Sequence, residues 1–444
     1  MTDRFNVLTT AGGGGRMTGD FPAIRPLLLA LIATGLFCRL MFAFFTPTFY
    51  APDEVAHFNY IQHLGEQGAF PVMHSSAGNP VDETECHQPP LYYLAMAPLF
   101  RAAQALLPDQ HATVIFLRLF SVLLWLLNVW LGGIWLSRLQ IKDRFIRVFV
   151  MAVICLLPTY TFTSAAINND NLLLPLGTGL FCLMAGRRQS LKYSLGLGLL
   201  LGLALLTKHS AVVFVPVIAW LTVGDYLRQR VGWTSGWLHL GIIFGLAGLM
   251  YLPWGVRNWQ TYGTLHPELL SLAPAATPSA QPVSGSITPK LPVAEQRVWP
   301  SMAYGMASSV HNLVKTFWAV SGVSNNVGYP FPLAGMALLL LAGSLPFITP
   351  KPEPPFADLM AAAHKPLMAV WLVAIGINIV LALRFGYMFG MGQGRHLFPV
   401  LYPIALLLAG GLRRLPAKNR ERLAAGFWMA YAVSFMVYSL VRFP

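Results

Sequence analysis

The sequence alternates apolar runs of about twenty residues with short polar connections, from 24–45 near its start to 424–441 near its end. A run of that length crosses the hydrocarbon core of a bilayer as an α-helix, whereas strands and the buried helices of soluble domains are shorter. Of 444 residues, 55% are hydrophobic and only 11% are charged, against about a quarter charged in a soluble domain. Soluble globular, disordered, collagen-like and disulfide-rich classes are excluded. The weak ten-residue alternation of an outer-membrane barrel does not fit runs this continuous. The expected fold is an all-α polytopic membrane protein with about eleven transmembrane helices.

The predicted spans are 24–45, 112–137, 147–166, 171–186, 191–207, 210–227, 237–254, 330–349, 366–389, 397–412 and 424–441. Pro158, Pro175, Pro216 and Pro253 interrupt four of them, which membrane helices tolerate when neighbours satisfy the freed carbonyls. The first run is too long for a signal h-region and lacks a small-residue cleavage site, so it reads as an uncleaved anchor. Cys38, Cys155 and Cys182 fall within apolar runs and only Cys86 lies in a loop, which offers neither a disulfide nor a metal cluster.

The net charge of +13 follows from where the cations sit rather than from a nucleic-acid partner. Nineteen of the 30 Lys and Arg residues lie in one set of connections: 4–25, 138–147, 187–192, 228–230, 351–365 and 413–422. Eight lie on the opposite side, at Arg101, Lys208, Arg257, Lys290, Arg297, Lys315, Arg395 and Arg442. The positive-inside rule makes the first set, and the N-terminus, cytoplasmic. The chain then divides into a disordered cytoplasmic tail (1–21), an N-terminal transmembrane module (22–254) containing outer loop 46–111, a second outer loop (255–329) and C-terminal transmembrane helices (330–444). Inner connections are hairpin-short, so the chemistry belongs outside.

Outer loop 46–111 opens with TFYAPDEVAHFNYIQHLGEQGAF. Pro52 suits the first turn of a helix, and Asp53 and Glu54 then sit at its positive end. On that helix Asp53, His57 and Tyr60 share one face. In a soluble chain this would be a charged first turn. Here only 17 Asp and Glu serve the whole sequence, and ionisable groups at a membrane boundary mark function. Further on, Asp82, Glu83 and Glu85 form an acidic run that reads equally as a solvated stretch. His87 and Gln88 are held beside Pro89-Pro90, which leads into an interfacial stretch with Tyr92 and Tyr93 at headgroup level.

APDEVAHF at 51–58 followed by HQPPLYY at 87–93 resembles the first outer loop of GT-C glycosyltransferases, and more narrowly the bacterial branch related to dolichyl-phosphate-mannose protein mannosyltransferases. Later segments agree in order: INNDNLLLPL at 167–176, LTKHSAVVFVP at 206–216, VRNWQTYG at 256–263, TFWAVSGVSN at 316–325 and GQGRHLFPVLYPIALLLAGGL at 392–412. The resemblance implies the GT-C fold and transfer of a sugar from a polyprenyl-phosphate donor to an acceptor on the outer membrane face. It assigns the catalytic base to Asp53, with Glu54 as its neighbour. A base must take the acceptor's hydroxyl proton, and cations must stabilise the departing phosphate. Arg395, in a glycine-rich loop, is the leading phosphate ligand, with Lys208, Arg257 and Arg118 as further candidates. His57, His87, Gln88, Tyr92 and His396 are expected to bind or orient substrate. Asp53, His57, Glu85 and His87 together offer oxygen and imidazole ligands for a divalent metal ion, although their spacing is not diagnostic and no cofactor is required. The partners implied are the lipid-linked donor, a glycan or lipid acceptor of the cell envelope and membrane lipids, with no nucleic acid, in a bacterial inner membrane. A lipid-linked glycan flippase would want polar groups at mid-membrane and inverted repeats, and neither is evident. A non-catalytic assembly partner would leave the Asp53-Glu54 pair and the GQGRH loop without purpose.

Overall fold

The computed structural model describes residues 21–72, 85–186, 190–229, 233–265, 267, 302–322, 327–328, 365–389, 393–413 and 418–444. Within them the helices are α1 (Phe21–Phe45), α2 (Glu54–Gln67), α3 (Leu91–Leu106), α4 (Gln110–Arg138), α5 (Arg144–Leu156), α6 (Pro158–Thr163) and α7 (Asp170–Gly186). They continue with α8 (Leu191–Leu205), α9 (Phe214–Gln229), α10 (Trp233–Tyr262), α11 (Met302–Trp318), α12 (Lys365–Phe389), α13 (Leu401–Leu412) and α14 (Arg420–Arg442). Three-ten segments His209–Val213 and Gly394–Val400 lead into α9 and α13, and Val320–Ser321 pairs antiparallel with Val327–Gly328.

Six described helical stretches are long and apolar enough to cross a bilayer, and three shorter apolar ones accompany them. The chain is a multi-pass membrane protein. The described residues do not establish eleven spans: the expected 330–349 lies outside them, as do Asp82, Glu83 and the Pro/Ser/Ala-rich stretch 273–296. The expected span 147–166 is in fact two helices, because Pro158 has no N–H for the Ile154 carbonyl and Leu157 turns out of the helix at ψ 116. Neighbours repair the break. Trp125 Nε1 donates to Ile154 O at 3.4 Å, and Arg39 Nη1 donates to Cys155 O at 2.7 Å. The Arg39 guanidinium also lies 3.9 Å above the Trp125 ring, and its Nε reaches Ser164 Oγ at 2.8 Å. An arginine deep in an apolar run is thus a splint for a broken helix.

Elsewhere the bundle is joined by close backbone approach and by satisfied polar links. A Cβ on Gly198 would lie 2.8 Å from Ile243 O, and one on Gly202 would lie 2.6 Å from Met250 Sδ, so this glycine pair lets α8 and α10 pack face to face. Asn128 of α4 donates to Tyr160 at 3.0 Å and accepts from Thr178 at 2.7 Å, while Tyr402 donates to the Asn128 carbonyl at 2.8 Å. That network ties α4, α6, α7 and α13 inside the membrane-facing core. A second apolar core, built from Phe58, Ile61, Tyr92, Tyr93, Met96 and Phe100 over Val114 and Leu117, seats α2 and α3 as a cap on one end of α4. The site is built between that cap and the bundle.

Candidate active site

The chain leaves α1 through a tight reversal in which Phe49 and Asp53 both take left-handed backbone angles, φ 63 and φ 61. Asp53 is the N-cap of α2 but makes no capping hydrogen bond. Its carboxylate instead accepts from Arg395 Nη2, across to the start of α13. Aspartate is among the few side chains that tolerate this backbone region, and here the turn leaves the carboxylate for the site.

Glu54, one residue on, faces the other way. It is fully buried at 0% exposure and forms a two-pronged pair with Arg118, at 2.8 Å to Nε and 2.6 Å to Nη2. Its Oε1 also accepts from the Ile167 backbone at 3.1 Å. The remaining Arg118 hydrogens go to the carbonyls of Ala43 at 3.2 Å, Thr46 at 2.7 Å and Pro47 at 3.0 Å. All five guanidinium N–H groups are therefore used. The sequence reading puts Glu54 beside the catalytic base and Arg118 on a phosphate. The geometry gives them instead to each other, as a post that fixes the α1–α2 reversal against α4 and the 164–169 turn.

Arg395 is set by its neighbour. A Cβ on Gly394 would sit 2.2 Å from both the Cα and N of Phe317, so only glycine allows this loop to lie on the end of α11. The Gly394 N–H donates to Thr316 Oγ1 at 2.6 Å. The Arg395 side chain is 8% exposed, and while Nη2 meets Asp53, its Nε and Nη1 are buried with no partner. Gln393 Oε1 and His396 Nδ1 in the same loop are likewise buried and unpartnered. Four such atoms within four consecutive residues describe a place waiting for a polar ligand.

A second cation stands with it. Lys208 Nζ donates to Asp170 Oδ1 at 2.8 Å. Lys208 follows α8, and its backbone is strapped to the first outer loop: Leu91 N donates to Leu206 O at 2.9 Å, and Asn169 Nδ2 spans Gln88 Oε1 at 3.5 Å and Thr207 O at 3.4 Å. The HQPP, INNDN and LTKH segments thereby converge. Asp170 and Asn169 are site residues that sequence reasoning misses. The signal is present, since an acid at the head of an apolar helix is scarce in a chain with 17 carboxylates.

The charges act on one another. Burial raises the Asp53 carboxyl, but the positive charges of Arg395 and Lys208 prevail and hold it down at about 2, although the side chain is still 41% exposed. Burial, then the neighbouring Asp53 charge, pushes Glu85 up to about 7. Burial lowers His57 to about 3, so its ring is neutral, and its Nδ1 pairs with the Tyr93 hydroxyl at 2.9 Å. Tyr93 stacks on Tyr60 with centroids 3.6 Å apart, and Tyr60 donates to Gln88 O at 3.4 Å. Gln88 Nε2 in turn lies 3.2 Å from His87 Nε2. His57, Gln88 and His87 are thus joined through Tyr93 and Tyr60. Tyr92 does not face it, being fully buried in the cap core with its hydroxyl toward Ser121. His396 packs edge-on against Phe385 at 4.8 Å. Arg257 donates to the Pro71 carbonyl at 2.6 Å. Among the described residues no three His, Cys, Asp or Glu side chains come together as a metal-binding group, so Asp53, His57, Glu85 and His87 do not form the ligand set that the sequence offers.

No family model matches the chain, and no curated protein matches it significantly. Among solved structures, the chain is similar to ArnT from Cupriavidus metallidurans bound to undecaprenyl phosphate, at 14% identity and a TM-score of 0.50, covering 94% of this chain and 70% of that one. It is also similar to ArnT from the same organism in the apo state, at 14% identity and a TM-score of 0.40, covering 88% of this chain and 78% of that one. The likeness to the lipid-bound structure is one of fold, and it agrees with the ordered motifs: the chain has the GT-C fold.

Proposed function

We propose that the chain is an inverting glycosyltransferase that moves a sugar from a polyprenyl-phosphate donor to a glycan or lipid acceptor of the cell envelope, at the outer face of a bacterial inner membrane. The observation that carries this reading is the Arg395 guanidinium, which joins Asp53 through Nη2 and keeps Nε and Nη1 buried and unpartnered. One rigid fork can hold a phosphate and a carboxylate at once. Lys208, beside it, supplies a second positive charge. The undecaprenyl phosphate bound by the ArnT structure of the same fold supports a lipid-phosphate ligand.

In this reading the acceptor hydroxyl attacks the anomeric carbon on the face opposite the phosphate. A new C–O bond forms, the bond to the phosphate oxygen breaks with its electron pair, and the hydroxyl proton passes to Asp53. Arg395 and Lys208 balance the charge that develops on the phosphate. His57, neutral and fixed by Tyr93, positions the first turn of α2. The positive-inside pattern supports an outward-facing site.

The test is sugar transfer by the purified protein in nanodiscs, offered radiolabelled polyprenyl-phosphate sugars and a total envelope lipid extract. Labelled product from the wild type and none from Asp53→Asn supports the reading. Equal transfer by both removes Asp53 from the mechanism. Transport of a lipid-linked sugar across vesicles that persists in the variant favours a flippase.

A further inference from the structure

Of the four candidate cations for the donor phosphate, Arg118, Arg395 and Lys208 each meet a carboxylate. Arg257 meets none among the described residues: its Nη2 goes to Pro71 O at 2.6 Å and its Nη1 to Asn258 Oδ1 at 3.1 Å. No described carboxylate offsets its charge, and it is only partly buried. Trp254, Arg257 and Asn258 fall at i, i+3 and i+4, on one face of α10. The guanidinium lies 4.7 Å from the Trp254 ring centre and 5.0 Å from that of Tyr262, and Phe70 packs edge-on against Trp254 at 5.5 Å.

Two further donors sit in the same place. Trp254, 3% exposed, and Asn258, 0% exposed, hold Nε1 and Nδ2 buried without an acceptor. The Asn258 orientation is not arbitrary, because Arg257 donates to Oδ1 and so leaves the amide nitrogen as the orphan. Indole and amide N–H groups are donors only, and each left unmade costs free energy. Two orphaned donors beside a guanidinium that meets no described carboxylate call for a ligand rich in acceptor oxygens and negatively charged.

We propose that Trp254, Arg257 and Asn258 form a binding site for an anionic group, phosphate or carboxylate, carried by the acceptor. That the ligand is the acceptor rests on the glycosyl-transfer reading; the anion site itself does not. Its place fits. Arg257 lies within electrostatic reach of Tyr60, which stacks on Tyr93, which bonds His57 one turn along α2 from Asp53. The acceptor's charged group would rest at one end of this aromatic tract and its reacting hydroxyl at the other. The aromatic walls of Trp254 and Tyr262 would line the sugar or acyl part between.

The test is native mass spectrometry of the full chain in nanodiscs with two probes: undecaprenyl phosphate, and an envelope lipid extract separated by anion exchange into charged and neutral fractions. The wild type should hold undecaprenyl phosphate and a component of the charged fraction together. Arg257→Gln should weaken the charged adduct by about tenfold or more while retaining undecaprenyl phosphate, which also reports a folded protein. Arg257→Lys should restore much of it, and Arg395→Gln should show the reverse selectivity. An adduct that survives Arg257→Gln, equal binding of the neutral fraction, or mutual exclusion of the two probes overturns the proposal. If undecaprenyl phosphate binds nowhere while an Arg257-dependent charged adduct persists, the donor reading fails and this site stands.

Discussion

Asp53 and Arg395, 342 positions apart in the chain, meet in a hydrogen-bonded ion pair that closes the cap of α2 and α3 onto the start of α13. The pair holds the proposed base ionised and the proposed phosphate ligand oriented before any substrate arrives. A carboxyl held at about 2 is a weak base, and a phosphate drawing on the same guanidinium would return basicity to it. Asp53→Asn keeps the shape and removes the base. It should lower transfer by about 10²- to 10⁴-fold while leaving undecaprenyl phosphate bound. Turnover measured beside lipid binding on the same preparation checks this, and a loss of both together would make the residue a structural one.

Glu54 differs from Asp53 by one position and is expected to behave differently. Its pair with Arg118 is fully buried and every guanidinium hydrogen is used. Removing one partner strands the other's charge, at a cost of about 3–5 kcal/mol. Arg118→Met and Glu54→Ala should each sharply reduce the thermal midpoint in detergent and the yield of monodisperse protein. The double variant should recover part of that loss, because no charge is left stranded. Single variants that remain as stable as the wild type and lose only turnover would return both residues to the chemistry.

Protonation of Glu85 gives a pH signature of opposite sign to that of Asp53. Its carboxyl rises from 4.5 to about 7 in the folded protein. Between those values the folded state binds more protons than the unfolded one, so this group's contribution to stability falls as pH rises. Asp53, lowered from 3.8 to about 2, contributes stability that is complete above 3.8 and is lost as pH falls toward 2. Thermal midpoints measured across pH 4.5 to 7 should therefore decline less steeply in Glu85→Gln than in the wild type. Parallel curves would show that Glu85 is ionised throughout.

Much of this architecture is legible in the amino-acid order alone. Runs of about twenty apolar residues announce the helices, and the scarcity of acids singles out Asp53. What adjacency in sequence does not show is direction: Asp53 and Glu54 are neighbours, yet a left-handed turn at Asp53 sends one carboxylate to the site and the other into the bundle. Cations pose the same difficulty, since Arg257 and Arg395 on the outer side and Arg118 just inside the second span are all phosphate candidates by sequence, and only their partners separate them. Asp170 escapes because it falls at the boundary of the predicted span 171–186, and its meaning comes from Lys208, 38 positions away. The break at Pro158 is visible in the sequence, whereas its repair by Trp125 and Arg39 depends on the packed neighbours.

The strictest requirement in the site falls on a residue with no side chain. A methyl group at Gly394 would lie 2.2 Å from Phe317 backbone atoms, and backbone at the end of a packed helix cannot yield as a flexible side chain would. Gly394→Ala must move the loop, lengthen the Gly394–Thr316 hydrogen bond and displace the adjacent Arg395 from Asp53. A displacement of about 1 Å is enough to lower a rate by about 10²-fold. Gly133, toward the C-terminal end of α4, has nothing within 4 Å of a built Cβ and serves as the control. Gly394→Ala should lose transfer and bind undecaprenyl phosphate more weakly, while Gly133→Ala should match the wild type in both and be no less stable, since alanine favours the helix. Equal activity in the two variants would mean that the loop carrying Arg395 is not fixed by α11, and that the ion pair with Asp53 forms without it.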